Sequence, residues 1–150
     1  MTQYNKVDED LWWEVAKQCN YATFFHTPLW HRLATETYPS FRDATVGIKS
    51  SDGVKAVLPL LEIPSRTRLF AVRQSTFAGC YGGPIADGAI DESIVRNLCH
   101  LAISRRTKQL KLLSNPFAPM SDFRGELVCE GHDSTDCLSL EQGYEAVAAQ

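Results

Sequence analysis

The sequence has no long apolar run: nothing in it approaches the roughly 20 residues needed to cross a bilayer as a helix. It also lacks a basic start followed by an apolar core at its N-terminus, where Met1 to Asp10 is polar and acidic, so the chain is expected to be cytoplasmic and without a transmembrane segment. No strong charge of one sign is present. The net charge is −3 and the pI about 5.8, which gives no long-range pull toward DNA or other nucleic acid. There is no C-x-x-C among the five cysteines, and their number is odd, a pattern of reduced thiols rather than a disulfide framework. Neither G-x-x-x-x-G-K-[ST] nor G-x-S-x-G occurs, which removes the P-loop and the serine-hydrolase elbow from consideration. No internal repeat or low-complexity segment appears.

Metal-ligand spacing is missing as well. His26 and His31 are five apart, not the four of a helical zinc pair. Cys129, His132 and Cys137 have no fourth partner at usual spacing, so no metal site is expected. Cys80, beside Tyr81 and Gly82, reads as a buried strand cysteine before it reads as a nucleophile.

What is present is an ordinary globular composition: 150 residues, 44% hydrophobic, 22% charged and 10% aromatic, enough to bury one core. The charge is unevenly placed. Arg66, Arg68 and Arg73 are close in sequence, as are Arg105, Arg106, Lys108 and Lys111, while acidic residues crowd both ends. Most of these read as solvated surface, with a local anion-binding patch as the alternative.

Helix signals are clear in three places. Asp8 is placed to cap a helix to about Gln18, with Glu9 and Asp10 in its first turn and Val7 and Trp12 set for a hydrophobic staple. Thr27-Pro28 opens a second, with Trp30, Leu33, Ala34, Thr37 and Tyr38 on one stripe and Pro39 ending it. Asp91 caps a third, reaching Arg106 with Ile94, Val95, Leu98 and Ala102 buried. Strands are predicted at Ala44–Ile48, at Val54–Ile63 with Pro59 as a bulge or edge position, at Arg68–Val72, Thr76–Tyr81, Gln109–Leu113 and Thr135–Leu140, with a last helix over Glu141–Ala149. This order predicts an α/β (mixed α+β) fold: one mixed sheet flanked by helices, with the third helix crossing between Tyr81 and the strand at Leu110–Leu113.

The most informative local signal is Tyr81-Gly82-Gly83-Pro84-Ile85-Ala86-Asp87-Gly88, between a strand and a helix. Glycines there permit close backbone approach to a ligand, and free N–H groups ahead of a helix can hold an anion. The alternative is a plain tight turn: Pro84 removes a donor, and Asp87 and Asp91 repel a pyrophosphate.

Three segments in order resemble one family. Thr23-Phe24-Phe25-His26-Thr27-Pro28-Leu29-Trp30, then Val57-Leu58-Pro59-Leu60, then Phe77 to Asp87 with its Tyr-Gly-Gly-Pro are similar to the early segments of FemAB-like proteins. His132 to Val147 resembles the entry into that family's second domain, although Cys137 stands where relatives often carry an aliphatic residue. The resemblance implies two tandem acyl-CoA N-acyltransferase (GNAT)-like domains. Residues 1–134 would be the first, and residues 135–150 the beginning of a truncated second.

It also implies an acyl- or aminoacyltransferase that forms an amide bond on a cell-envelope precursor or other amine acceptor. The first domain would shape the acceptor groove. Acyl-CoA or aminoacyl-tRNA would serve as donor only through the second domain, so no cofactor is assigned here and the fragment alone is expected to be inactive. Substrate-binding positions carried over are Arg32, Tyr81, Gly82, Gly83, Pro84 and Asp87. Trp30 is expected to pack in the core, and Arg32, off the apolar stripe, to be a surface charge or a partner for carboxylate or phosphate. Catalytic residues are not identified. The alternatives are a non-catalytic partner-binding or remnant module and a small acyl-CoA-dependent N-acetyltransferase. Tyr144 and Val147 would give the tail an apolar edge, through which a homodimer is expected.

Overall fold

The computed structural model describes residues 1–67, 69–77 and 79–118. The expected boundary at 134/135, the strand and helix after it, the Cys129–His132–Cys137 group and the tail-mediated dimer fall outside them, as does Arg68. Among the described residues, no helix is long and apolar enough to cross a membrane.

The fold is mixed α+β, with three helices and two four-stranded sheets among the described residues. Strand β1 (Thr2–Tyr4) leads into helix α1 (Glu9–Gln18), and helix α2 (Pro28–Thr37) follows a 3-10 turn at Phe24–His26. Then come β2 (Arg42–Asp43), β3 (Val46–Lys49), β4 (Lys55–Leu58), β5 (Leu61–Pro64), β6 (Ala71–Gln74), β7 (Ile85–Ala86), helix α3 (Glu92–Ala102) and β8 (Thr107–Lys111). The first sheet runs β1-β3-β4-β7 and is antiparallel throughout; the second runs β2-β5-β6-β8 and ends on a parallel β6–β8 pair.

The caps act as their residue types dictate. Asp8 accepts from the Asp10 N–H at 3.0 Å, Thr27 from the Trp30 N–H at 3.4 Å with Pro28 in the first turn, and Asp91 from the Ile94 N–H at 2.7 Å. Val7 and Trp12, set for a staple, are both buried in one cluster.

The first sheet is covered on both faces, which is why β4 reads Ala-Val-Leu without polar alternation. Ala56 and Leu58 point to one face, with Val46, Ile48 and Ala86, and meet Ile94, Leu98 and Ala102 of α3. Val57 and its cross-strand partner Ile85 point to the other and meet Trp12 and Val15 of α1.

The single strand predicted over Val54–Ile63 is instead two, one in each sheet, with Pro59 and Leu60 as the joint. Pro59 has no N–H to continue a ladder. The Leu60 carbonyl accepts from the Ala44 N–H at 2.8 Å, and the Leu60 N–H donates to Thr45 Oγ1 at 3.2 Å. The expected single mixed sheet is therefore two, hinged along two continuous segments, 42–49 and 55–64.

Other expectations are corrected. Thr76–Tyr81 is not a strand: Ser75 bonds to Lys111 and Leu113, Cys80 closes a turn onto Phe77, and Gly79 has φ +81. The parallel partner of β8 is thus β6, and α3 does not connect Tyr81 to a neighbouring strand. Cys80 lies in that bend, half-buried, rather than in a strand. The strand foreseen at Arg68–Val72 sits at Ala71–Gln74, and α3 stops at Ala102. On α2 the buried residues are Pro28, His31 and Ala34, while Leu33 and Tyr38, assigned to the apolar stripe, are each 49% exposed.

Thr45 is fully buried and holds the hinge. Thr45→Val keeps the shape but leaves the Leu60 N–H without a partner, and it should cost about 1–3 kcal/mol of stability in urea unfolding. Thr45→Ser should cost less. Equal, negligible losses would show that the joint does not depend on this hydroxyl.

Candidate functional site

Two segments more than forty residues apart meet on one side of the molecule. The 3-10 turn Phe24–His26 and the start of α2 approach residues 75–84 through rings and backbone. The Phe25 and Tyr81 centroids are 6.2 Å apart, those of Trp30 and Phe77 are 5.9 Å apart, and Trp30 Nε1 donates to Thr76 Oγ1 at 3.3 Å. Trp30 is therefore half-buried at this junction, not in a core cluster as expected.

The ring contacts run on in both directions. Tyr38 stacks on Phe41 at 4.9 Å, both rings approach Phe77, Phe24 and Phe25 flank Trp30, and Tyr81 meets Phe117 edge-on at 5.9 Å. Eight rings thus form a continuous band, in which Phe24, Tyr38 and Phe117 are about half exposed. Leu29 (47% exposed) and Leu33 (49%) are also exposed on α2. A partly exposed aromatic surface of this kind is a candidate binding surface.

Beneath the band is a buried polar framework. Trp12 Nε1 donates to the His26 carbonyl at 2.7 Å, fixing α1 to the 3-10 turn. The Thr23 N–H donates to His26 Nδ1 at 3.0 Å, which assigns the ring proton to Nε2. Nε2 faces the Gly82 backbone without a hydrogen bond of good geometry. Burial, followed by the smaller effect of His31, pushes the His26 pKa below its ordinary value, despite opposing contacts with Gly82 and Thr23.

His31 packs edge-on to Trp12, and its Nδ1 lies 3.5 Å from Asp43 Oδ1. The same carboxylate oxygen accepts from the Thr45 N–H at 3.1 Å and hydroxyl at 2.6 Å. Burial raises the Asp43 pKa, but the contacts with His31 and Thr45 outweigh it and hold the carboxyl below its usual value.

The Gly-Gly-Pro turn is a packing point rather than an open cradle. Gly82, Gly83 and Pro84 are buried, and a Cβ at Gly82 would lie 2.5 Å from Ser75 Oγ. Gly83 has φ +99, where other residues are strained. The Pro84 carbonyl accepts from the Tyr21 hydroxyl at 3.4 Å, and Asn115 Nδ2 donates to the Tyr21 carbonyl at 2.5 Å. Burial, then the neighbouring Cys19, push the Tyr21 pKa upward, so the phenol stays neutral.

Of the positions named from the sequence, Tyr81 is in the band and Gly82, Gly83 and Pro84 support it from below. Asp87 is elsewhere: its carboxylate accepts from the Lys55 N–H at 2.8 Å and extends the β4–β7 pairing. Arg32 is also elsewhere, paired with Glu9 at 2.6 Å on the exposed side of α1 and α2. Sequence reasoning missed Phe41, Thr76 and Phe117. Only their residue types hinted at them, because no period places them on one face. Among the described residues, no group of His, Cys, Asp and Glu is arranged to hold a metal ion.

Compared with protein-family models, curated proteins and solved structures, the chain gives no match.

His26 and Asp43 both favour the folded state most when His26 is neutral and Asp43 ionised. For each, the folded pKa is depressed. The contribution is therefore complete above the unfolded value, 6.5 for His26 and 3.8 for Asp43, and is lost as pH falls through the folded value. Melting temperature should fall steadily from about pH 6.5 downward, and His26→Gln should flatten the upper part of that decline. An unchanged slope in the variant would show that His26 does not titrate with folding.

Proposed function

We propose that this chain is the acceptor-binding, first GNAT-like domain of a FemAB-like acyl- or aminoacyltransferase, working on an amine acceptor such as a cell-envelope precursor in the cytoplasm. The aromatic band is its acceptor surface. The observation that carries this reading is the convergence of Phe24–Trp30 and Phe77–Pro84, the two segments richest in the resemblance, on one exposed face through the Phe25–Tyr81 and Trp30–Phe77 contacts.

The element order lends support: after β1, two helices, a run of antiparallel strands, a helix and a strand follow in the order read from the sequence, although in two sheets rather than one. So does the chemistry. An acceptor amine is protonated until it reacts, and aromatic faces attract an ammonium group while their rims pack against sugar or peptide. The loop ahead of α3 suits a CoA pyrophosphate poorly, since Asp87 and Asp91 bracket it and Asp91 is engaged as the helix cap. The donor would accordingly be met by a second domain.

A partner-binding module is the second reading, favoured by the exposure of Leu29 and Leu33 on α2. Titration calorimetry separates the readings. A lysine-containing peptidoglycan-type peptide should bind saturably, Tyr81→Ala should weaken it about tenfold, and Leu29→Ser with Leu33→Ser should change it little. Acetyl-CoA should give no saturable heat. Binding of acetyl-CoA but not of the peptide would replace the proposal with a small CoA-dependent acetyltransferase. Absence of both would leave the module reading.

A further inference from the structure

On the second sheet, three strands carry a row of charges in register: Arg42 on β2 pairs with Glu62 on β5, and Glu62 with Arg73 on β6. This row floors a surface cleft of about 510 Å³, walled by Phe70 and by the turn that holds Ser104 and Arg106. The cleft thus sets three arginines against a single carboxylate.

The floor is already satisfied. Arg73 Nε and Nη2 donate to Glu62 Oε2 at 3.0 and 2.9 Å, and Nη1 donates to the Ala102 carbonyl at 2.6 Å. Both partners are largely shielded, with side-chain exposures of 17% and 25%. Arg73 is therefore fixed and close to neutralised. Arg42 and Arg106 differ: both are exposed, and among the described residues neither has a carboxylate within ion-pair distance.

They come from opposite edges of the sheet. The strand order β2-β5-β6-β8 puts about 14 Å between the outer strands, a gap that two guanidinium side chains reaching inward can close on one anion. Arg106 is anchored by its own backbone, whose carbonyl accepts from the Ala71 N–H at 2.9 Å. Phe70, 49% exposed, offers a ring beside the two charges.

We infer that this cleft binds an organic phosphate bearing a flat ring, with Arg42 and Arg106 gripping the phosphate and Phe70 stacking on the ring. Guanidinium forks match phosphate oxygens in pairs, and two of them from separate elements suit a dianion better than a single carboxylate. The site lies on the second sheet and borders the aromatic band at Pro39 and Ser40, between Tyr38 and Phe41, but it uses none of the band's rings and does not depend on how that band functions.

Calorimetry of the full chain with AMP, ribose 5-phosphate and adenosine tests it. AMP should bind saturably and more weakly as salt rises, ribose 5-phosphate less tightly, and adenosine not measurably. Arg42→Gln and Arg106→Gln should each weaken AMP about tenfold, and Phe70→Ala should erase the advantage of AMP over ribose 5-phosphate. Arg32→Gln, which removes another exposed arginine outside the cleft, should leave AMP binding unchanged. Both cleft arginines are exposed, so circular dichroism should report intact folds. The inference is overturned if AMP does not bind, if binding survives the double change Arg42→Gln/Arg106→Gln, or if Arg32→Gln weakens it equally.

Discussion

The structure turns on one joint. At Pro59 and Leu60 the long central strand leaves one sheet and enters the other, and a single hydroxyl, that of Thr45, serves both sides of the break. It accepts from the Leu60 N–H, which would otherwise be buried without a partner. It donates to Asp43, the last residue of β2 in the second sheet. Asp43 in turn faces His31 on α2. The hinge between the sheets and the seat of α2 are thus one connected polar unit. The Leu60 N–H is buried, and leaving it unpaired would cost more than the bond returns, so the joint is held by what its loss would expose.

The position of the aromatic band follows from that seat. His31 and Ala34 face inward, so Trp30 and Leu33, each one residue before them and turned the same way round the helix, face the rim. Trp30 then meets Thr76 and Phe77, and the 3-10 turn before it meets Tyr81. The Gly-Gly-Pro turn is needed because nothing larger than glycine at position 82 fits over Ser75 and Thr76. The glycines permit two backbones to cross, and the rings above them form the surface. A motif that reads as a ligand cradle here supports an aromatic surface from beneath.

The helices were legible because their signals are local: Asp8, Thr27-Pro28 and Asp91 each cap the helix they precede. The sheet division was not, because Pro59 marks an interruption without saying whether the chain resumes the same sheet or starts another. That depends on Ala44 and Thr45, fourteen or more residues away. Part of the candidate site was visible as the Phe-Phe-His and Tyr-Gly-Gly-Pro segments. Arg32 and Asp87, named from the sequence as binding positions, lie apart from the band, because their partners, Glu9 and the Lys55 N–H, are set by tertiary contact alone. Phe41 and Phe117 join the band from segments with no helical or strand period, and a side chain placed by packing leaves no trace in spacing.

The central claim is that the two segments form one acceptor-binding face. Hydrogen–deuterium exchange with and without saturating lysine-containing precursor peptide measures this directly, because each segment reports separately. The account predicts that amides in residues 23–30 and 79–84 slow together, while those of α3 and β8 do not change. Protection confined to one segment, or centred on α3, would contradict it.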